Sequence, residues 1–189
     1  MKAMPPLKAV IFKVLFFLIF LISFASCGKK SQRENAIKKE SFTDTKKDEI
    51  ETSFFIEMAN AMYSMISKSQ IAQQKSSENK ILEISKKIEN HQTQLLQKVT
   101  EMANKKLIII TELNVAHKEE IYNLSNQNGN DFNKAYLNAM AASLTQQIKL
   151  FEKISKETND ELILKVVLQY LPEQYQLLRE TEQIKSEFN

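Results

Sequence analysis

The sequence predicts an all-α protein, a four-helix bundle with a long crossover between its second and third helices. Beyond residue 47 the chain contains one glycine, Gly129, and one proline, Pro172. A β-rich domain would need many turns, and turns depend on Gly, Pro, Asn and Asp at particular positions. Four stretches instead carry apolar residues at alternating steps of three and four, the pattern of helices with one buried face.

The first two helices are predicted at about 48–74 and 77–104. Ser76 and Ser77, which separate them, are residue types that cap helix N-termini. The first buried face comprises Phe55, Met58, Met62, Met65 or Ile66, and Ala72, and the second comprises Ile81, Ile84, Ile88, His91, Leu95, Val99 and Met102.

The third and fourth long helices are predicted at about 129–156 and 160–187. Thr158, Asn159 and Asp160 should cap the fourth helix, and Pro172 inside it should cause a kink. The buried faces comprise Phe132, Tyr136, Ala139, Ser143, Leu150 and Ile154 in the third helix, and Ile163, Val167, Tyr170, Leu177 and Ile184 in the fourth.

The crossover begins with four apolar residues, 107–110, three of which are isoleucines. β-Branched residues are common in strands, but a single short apolar run has no second strand with which to pair. We therefore expect an extended segment packed on the bundle, followed by a short helix at about 115–125 that Asn114 caps.

The N-terminal segment has the three parts of a secretory signal. Lys2, Lys8 and Lys13 precede an apolar run at 14–25, and small residues follow it. The alternative is an uncleaved anchor helix, although the run is shorter than the roughly 20 residues needed to span a bilayer. We predict a signal peptide at 1–26, followed by Cys27, the chain's single cysteine.

The sequence Phe24-Ala25-Ser26-Cys27 resembles the lipobox of bacterial lipoproteins. That resemblance implies a diacylglycerol thioether and an N-acyl chain, such as palmitate, on Cys27, and hence attachment to a membrane. Stable anchoring requires more than one acyl chain. No Asp follows Cys27, which by resemblance to enterobacterial sorting favours the outer membrane, with the protein facing the periplasm.

The composition of residues 28–47 is polar and charged, which predicts a flexible tether between Cys27 and a domain at 48–189. Removal of residues 1–26 would leave 23 basic and 23 acidic residues. The basic character of the full chain therefore belongs to the signal peptide. A nucleic-acid partner is not expected, because such proteins retain a basic patch on the folded domain.

Catalytic motifs are missing from the sequence. It contains no Gly-x-Ser-x-Gly elbow and no glycine-rich phosphate loop, and its histidines are His91 and His117. Neither histidine has a glutamate three residues before it, as di-iron bundles require. Met58, Met62 and Met65 have the spacing of core residues, although thioethers can also bind Cu(I). We therefore predict no enzyme activity and no cofactor.

An ordered set of motifs resembles the domain of unknown function 4142, a family of predicted envelope proteins with a ferritin-like bundle. The set comprises the Ser76-Ser77 break, Ile88-Glu89-Asn90-His91, Asp131 to Leu137, Leu150-Phe151-Glu152 and Tyr170-Leu171-Pro172. The family's Asp-His pair is Asn90-His91 here, and its later histidines are replaced near Ser143-Leu144 and Leu177. These departures argue against metal or catalytic chemistry.

Two classes of function remain open. The first is a lipid-anchored, non-enzymatic module whose surface binds another component of the cell envelope. The alternative is a degenerate ferritin-like site that holds a metal or small ligand near His91, with carboxylates such as Glu57 or Glu152 from neighbouring helices.

Overall fold

The computed structural model describes residues 30–110 and 115–188, with side chains described from residue 46 onward. The described residues form five helices and no strand: α1 Lys30–Lys75, α2 Asn79–Lys105, α3 Val115–Ser125, α4 Gly129–Glu157 and α5 Glu161–Phe188. The all-α prediction is confirmed. The predictions for residues 1–29, including Cys27, and for Asn114 concern positions outside the described residues.

The start of α1 differs from the prediction. The helix begins at Lys30 rather than near Asp48, and therefore includes most of the segment predicted as a flexible tether. Between residues 30 and 47 the segment has few apolar residues to bury, but it contains neither glycine nor proline. Once a helix is nucleated, each further residue adds one hydrogen bond, so a polar segment rich in Lys and Glu can continue it.

The chain divides into two compact units, Met1–Thr45 and Lys46–Asn189. In the first, residues 30–45 are helical. The second contains the bundle, and its boundary lies within two residues of the predicted start of the domain at 48.

Side-chain contacts define the direction of each helix within the second unit. α1 and α4 are antiparallel, because Glu51 bonds to Thr158 at one end and Ser69 bonds to Tyr136 nearer the other. α2 and α5 are antiparallel in the same way, through Lys106–Asp160 and Lys87–Glu180. Lys106 also contacts Glu51, which bonds to Thr158, so the C-terminal ends of α2 and α4 lie together and the two helices run in the same direction. The chain must therefore cross the length of the bundle between them, as predicted.

The core consists of two apolar clusters, one near each end of the bundle. The cluster toward Glu51 includes Phe55, Met58, Leu95, Phe151 and Tyr170. The cluster toward Lys75 includes Met65, Ile84, Phe132, Leu144 and Leu177.

The buried face of α4 is displaced by one position from the predicted face at three places. Met140, Leu144 and Phe151 are fully buried, whereas the predicted residues Ala139, Ser143 and Leu150 are half-buried beside them. The larger side chains remove more apolar surface from water, so the helix turns them inward.

The described start of the crossover, residues 106–110, is irregular, and two of its isoleucines pack on the bundle as predicted. Leu107 has a φ of 59° and is exposed, and the Ile108 N–H donates a hydrogen bond to the Ala103 carbonyl, which ends α2. Ile108 and Ile110 pack against the core cluster toward Glu51. The following helix, α3, has the predicted bounds and buries one residue, Leu124.

The predicted caps differ in their geometry. Oδ1 of Asp160 accepts hydrogen bonds from the first N–H groups of α5, as expected of an N-cap. Ser76 instead accepts a bond from the Glu78 N–H, and Glu78 occupies the N-cap position of α2 without a side-chain bond. Pro172 is exposed, and α5 extends on both sides of it.

None of the helices described here combines the length and the apolar composition that crossing a bilayer requires.

Asp160 also belongs to a charged network at the Glu51 end of the bundle. Lys106 Nζ lies 2.8 Å from a carboxylate oxygen of Glu51 and 2.7 Å from one of Asp160. Partial burial opposes ionisation of Asp160, but the bonds from Lys106 and from the N-terminal N–H groups of α5 outweigh it. The pKa of Asp160 therefore lies below its ordinary value.

We expect Asp160→Asn to destabilise the protein by about 1 kcal/mol at neutral pH, since Asn keeps the cap but loses the ion pair. A carboxylate with a lowered pKa stabilises the fold above its unfolded pKa, and this contribution disappears as the pH falls through its folded pKa. Urea unfolding curves of the two proteins should therefore converge toward about pH 2. A difference that is independent of pH would contradict the electrostatic origin.

Candidate functional site

His91 lies at the edge of the core, between α2 and α5. Its side chain is 9% exposed, and Nδ1 is 2.9 Å from Oε2 of Glu173, an exposed residue of α5. The ring also makes an edge contact with Tyr170, with 5.6 Å between centroids. Burial lowers the pKa of His91, although the charge and hydrogen bond of Glu173 oppose this effect.

These contacts determine which ring nitrogen of His91 carries a hydrogen. The lowered pKa makes the ring neutral at physiological pH, and Glu173 can only accept a hydrogen bond, so Nδ1 carries the hydrogen. Nε2 then carries a lone pair and is buried, and among the residues that the structure describes it has no hydrogen-bond partner. His91 is thus oriented by a carboxylate in the way that metal-binding histidines commonly are.

A layer of three buried glutamines lies beside His91, between the two apolar clusters. Gln92 and Gln147 exchange two hydrogen bonds, at 3.0 Å and 2.9 Å, and Gln92 also approaches Gln174 at 3.4 Å. All three side chains are completely buried. The layer joins α2, α4 and α5, and we call it the glutamine layer.

The glutamine layer was missed by the sequence analysis, which placed His91 on the inner stripe of α2. In the structure Gln92 occupies the centre of that stripe, between Ile88 and Leu95, and His91 lies at its margin. Gln92 lies four residues after Ile88 and three before Leu95, which is the spacing of residues on one helix face. Its position on the stripe could therefore be predicted from the sequence. Glutamine was passed over because it is usually a surface residue.

The carboxylates suggested as partners of His91 have other contacts. Glu57 accepts a hydrogen bond from Ser53, and Glu152 accepts one from Tyr175. The carboxylate that His91 does contact, Glu173, comes directly after the motif Tyr170-Leu171-Pro172 in the sequence. Within the described ranges, no three His, Cys, Asp or Glu side chains are grouped as a metal site would require.

Met58, Met62 and Met65 are completely buried. The first two pack in the apolar cluster toward Glu51, and Met65 packs in the cluster toward Lys75. Their thioethers are therefore distributed along α1 among apolar side chains, which is the usual role of methionine in a core.

A second polar site lies between α1, α3 and α4. It is a cleft of about 330 Å³, which we call the Lys68 cleft, lined by Lys68, His117, Glu120, Asn123, Leu124, Gln127, Ala135, Ala139, Ala142, Ser143 and Gln146. Lys68 is 2% exposed, and its Nζ lies 2.6 Å from Oε2 of Glu120. The same oxygen is 3.4 Å from Nδ1 of His117, the second candidate histidine.

The fold and these sites define a helical-bundle domain in which two helices that run in the same direction are joined by a crossover along the bundle. The sequence model of the domain of unknown function DUF4142 matches residues 38–184. The chain belongs to this family, as its motifs predicted. No curated protein matches it.

Two solved structures share the fold. One is the crystal structure of a DUF305 fragment from Deinococcus radiodurans, with a TM-score of 0.65 and 12% identity over 73% of this chain and 96% of that one. The other is CopM in its Cu(II)-bound form, with a TM-score of 0.61 and 12% identity over 74% of this chain and 97% of that one. At this identity the likeness concerns the fold alone.

Proposed function

We propose that the protein is a lipid-anchored helical module of the cell envelope, which acts by binding another envelope component and not by catalysis. The observation that carries the anchor is the run Phe24-Ala25-Ser26-Cys27 after the apolar segment. Lipid on Cys27 attaches the domain to a membrane, most simply the outer membrane facing the periplasm. Replacement of Cys27 tests this attachment directly.

The chemistry of the bundle centre supports binding over catalysis. The polar side chains that are completely buried there are the amides of Gln92, Gln147 and Gln174. Amide side chains do not titrate near neutral pH and are poor nucleophiles, so they can serve neither as general acids or bases nor in covalent catalysis. They can hold helices in register through hydrogen bonds, which suits a rigid module with its function on the surface.

The second candidate function is metal or small-ligand binding at His91. The observation that favours it is the carboxylate of Glu173 on Nδ1, which leaves the Nε2 lone pair directed inward. One protein with the same fold was solved in a Cu(II)-bound form. A metal nevertheless requires several converging donors, and glutamine amide oxygens are weak ligands for Cu(II) or Zn(II) compared with imidazole.

We expect the purified wild-type protein to contain far less than one metal ion per chain, and His91→Ala to change stability only. The expected loss is about 1–2 kcal/mol, because the variant removes a hydrogen bond and leaves a small cavity beside Tyr170. Elemental analysis and urea unfolding measure the two effects. His117→Ala is the matched control. A stoichiometric metal that is lost in His91→Ala but kept in His117→Ala would establish the second function instead.

A further inference from the structure

The Lys68 cleft contains a buried ammonium group with hydrogen-bond donors to spare. A lysine ammonium has three N–H donors. Among the described side chains, Glu120 is the one that accepts a hydrogen bond from Lys68. Because the Lys68 side chain is almost fully buried, its other N–H groups can donate hydrogen bonds only to oxygen atoms that lie within the cleft. A buried donor without an acceptor costs free energy. The cleft therefore favours a ligand that brings acceptor oxygens to Lys68.

The charge of the cleft restricts which ligand can do so. Burial opposes ionisation of Glu120, but the hydrogen bond and charge of Lys68 outweigh it, and the pKa of Glu120 lies below its ordinary value. The carboxylate of Glu120 and the ammonium of Lys68 therefore carry opposite charges, and the pair has no net charge. A simple anion would leave the partly buried cleft with a net negative charge, whereas a ligand with both charges keeps it neutral.

Both charges of such a ligand would find a partner. A carboxylate can accept hydrogen bonds from Lys68, and an ammonium can approach Glu120, whose side chain is 54% exposed. The amide side chains of Asn123 and Gln127 at the rim can bond to either group.

The wall of the cleft suits a small apolar substituent. Ala135, Ala139 and Ala142 line it from α4, and Leu124 lines it from α3. These short side chains leave room next to the charged pair. A volume of about 330 Å³ is at the lower end of the range for small-molecule sites, which fits a ligand the size of an amino acid.

We propose that the Lys68 cleft binds a small zwitterion, an α-amino acid with an apolar side chain, whose carboxylate contacts Lys68 and whose ammonium contacts Glu120. The inference goes beyond the proposed function and depends neither on lipid at Cys27 nor on a metal at His91.

Isothermal titration of the full chain in detergent with L-leucine tests the proposal. Two analogues each remove one charge: N-acetyl-L-leucine lacks the ammonium, and L-leucinamide lacks the carboxylate. We expect L-leucine to bind and each analogue to bind at least about tenfold more weakly, a difference of about 1.4 kcal/mol. No binding of L-leucine would overturn the proposal, as would equal binding of either analogue.

Variants locate the site. Lys68→Met keeps a long side chain in the buried position but removes the charge, and Glu120→Gln keeps the shape of the more exposed partner. Both should weaken L-leucine binding at least about tenfold. Lys98→Met, at an exposed lysine of α2, is the matched control and should bind as the wild type does. If both cleft variants retain the helical circular dichroism spectrum and wild-type affinity, the ligand site is elsewhere and the proposal fails.

Discussion

Cys27→Ala is expected to abolish incorporation of a fatty-acid label into the protein. The thioether that carries the diacylglycerol requires the cysteine sulfur, and the chain has one cysteine. In cells grown with an alkyne-labelled palmitate, the wild-type band should be labelled and the variant band should be unlabelled.

Ser26→Ala is the matched control for this experiment. It changes the neighbouring residue but keeps a small side chain before the cysteine, so its labelling and size should equal those of the wild type. Labelling that persists in Cys27→Ala would refute the anchor assignment. A wild-type protein that is unlabelled and retains its apolar segment would establish the uncleaved anchor helix.

Gln147→Met is expected to destabilise the bundle by about 2–3 kcal/mol. Its side chain exchanges two hydrogen bonds with Gln92, and both groups are completely buried. Methionine has a similar length and shape but leaves the Gln92 amide without its main partner. A buried polar group that loses its partner costs more than a hydrogen bond contributes when it is made.

The triple variant Gln92→Met, Gln147→Met, Gln174→Met should recover most of this loss. Replacement of a whole buried polar group by apolar side chains of similar size is often neutral or stabilising. Urea unfolding followed by circular dichroism compares the series, with the exposed Gln97→Met as the control. A triple variant no more stable than Gln147→Met would contradict this prediction.

The helices were predictable wherever apolar residues alternate at helical spacing and a cap or glycine ends the pattern. The bounds of α4 and α5 follow from such signals, and Asp160 forms the predicted cap. The start of α1 was not predictable in this way. A polar segment carries no periodic pattern, so its helical state depends on backbone propensity and on the helix already formed next to it.

The candidate sites were predictable only as single residues. Sequence spacing identified His91 as a histidine at the border of the core, but its partner Glu173 is more than eighty residues away along the chain. The pairing depends on the register between α2 and α5, which only packing determines. Lys68 was overlooked for a similar reason: a buried lysine is rare, and its acceptor lies on a different helix.

The connectivity of the four long helices has a consequence for how the protein folds. α1 and α2 are neighbours in the chain and are joined by a short loop, with Gln73 bonded to Glu89, and α4 and α5 form a second such hairpin, with Tyr175 bonded to Glu152. Contacts within each hairpin are local, so their loop-closure entropy is small. Contacts between the hairpins, such as Gln92–Gln147, require closure of the whole crossover. The two hairpins should therefore form first, and their docking should be the slow step that completes the native state.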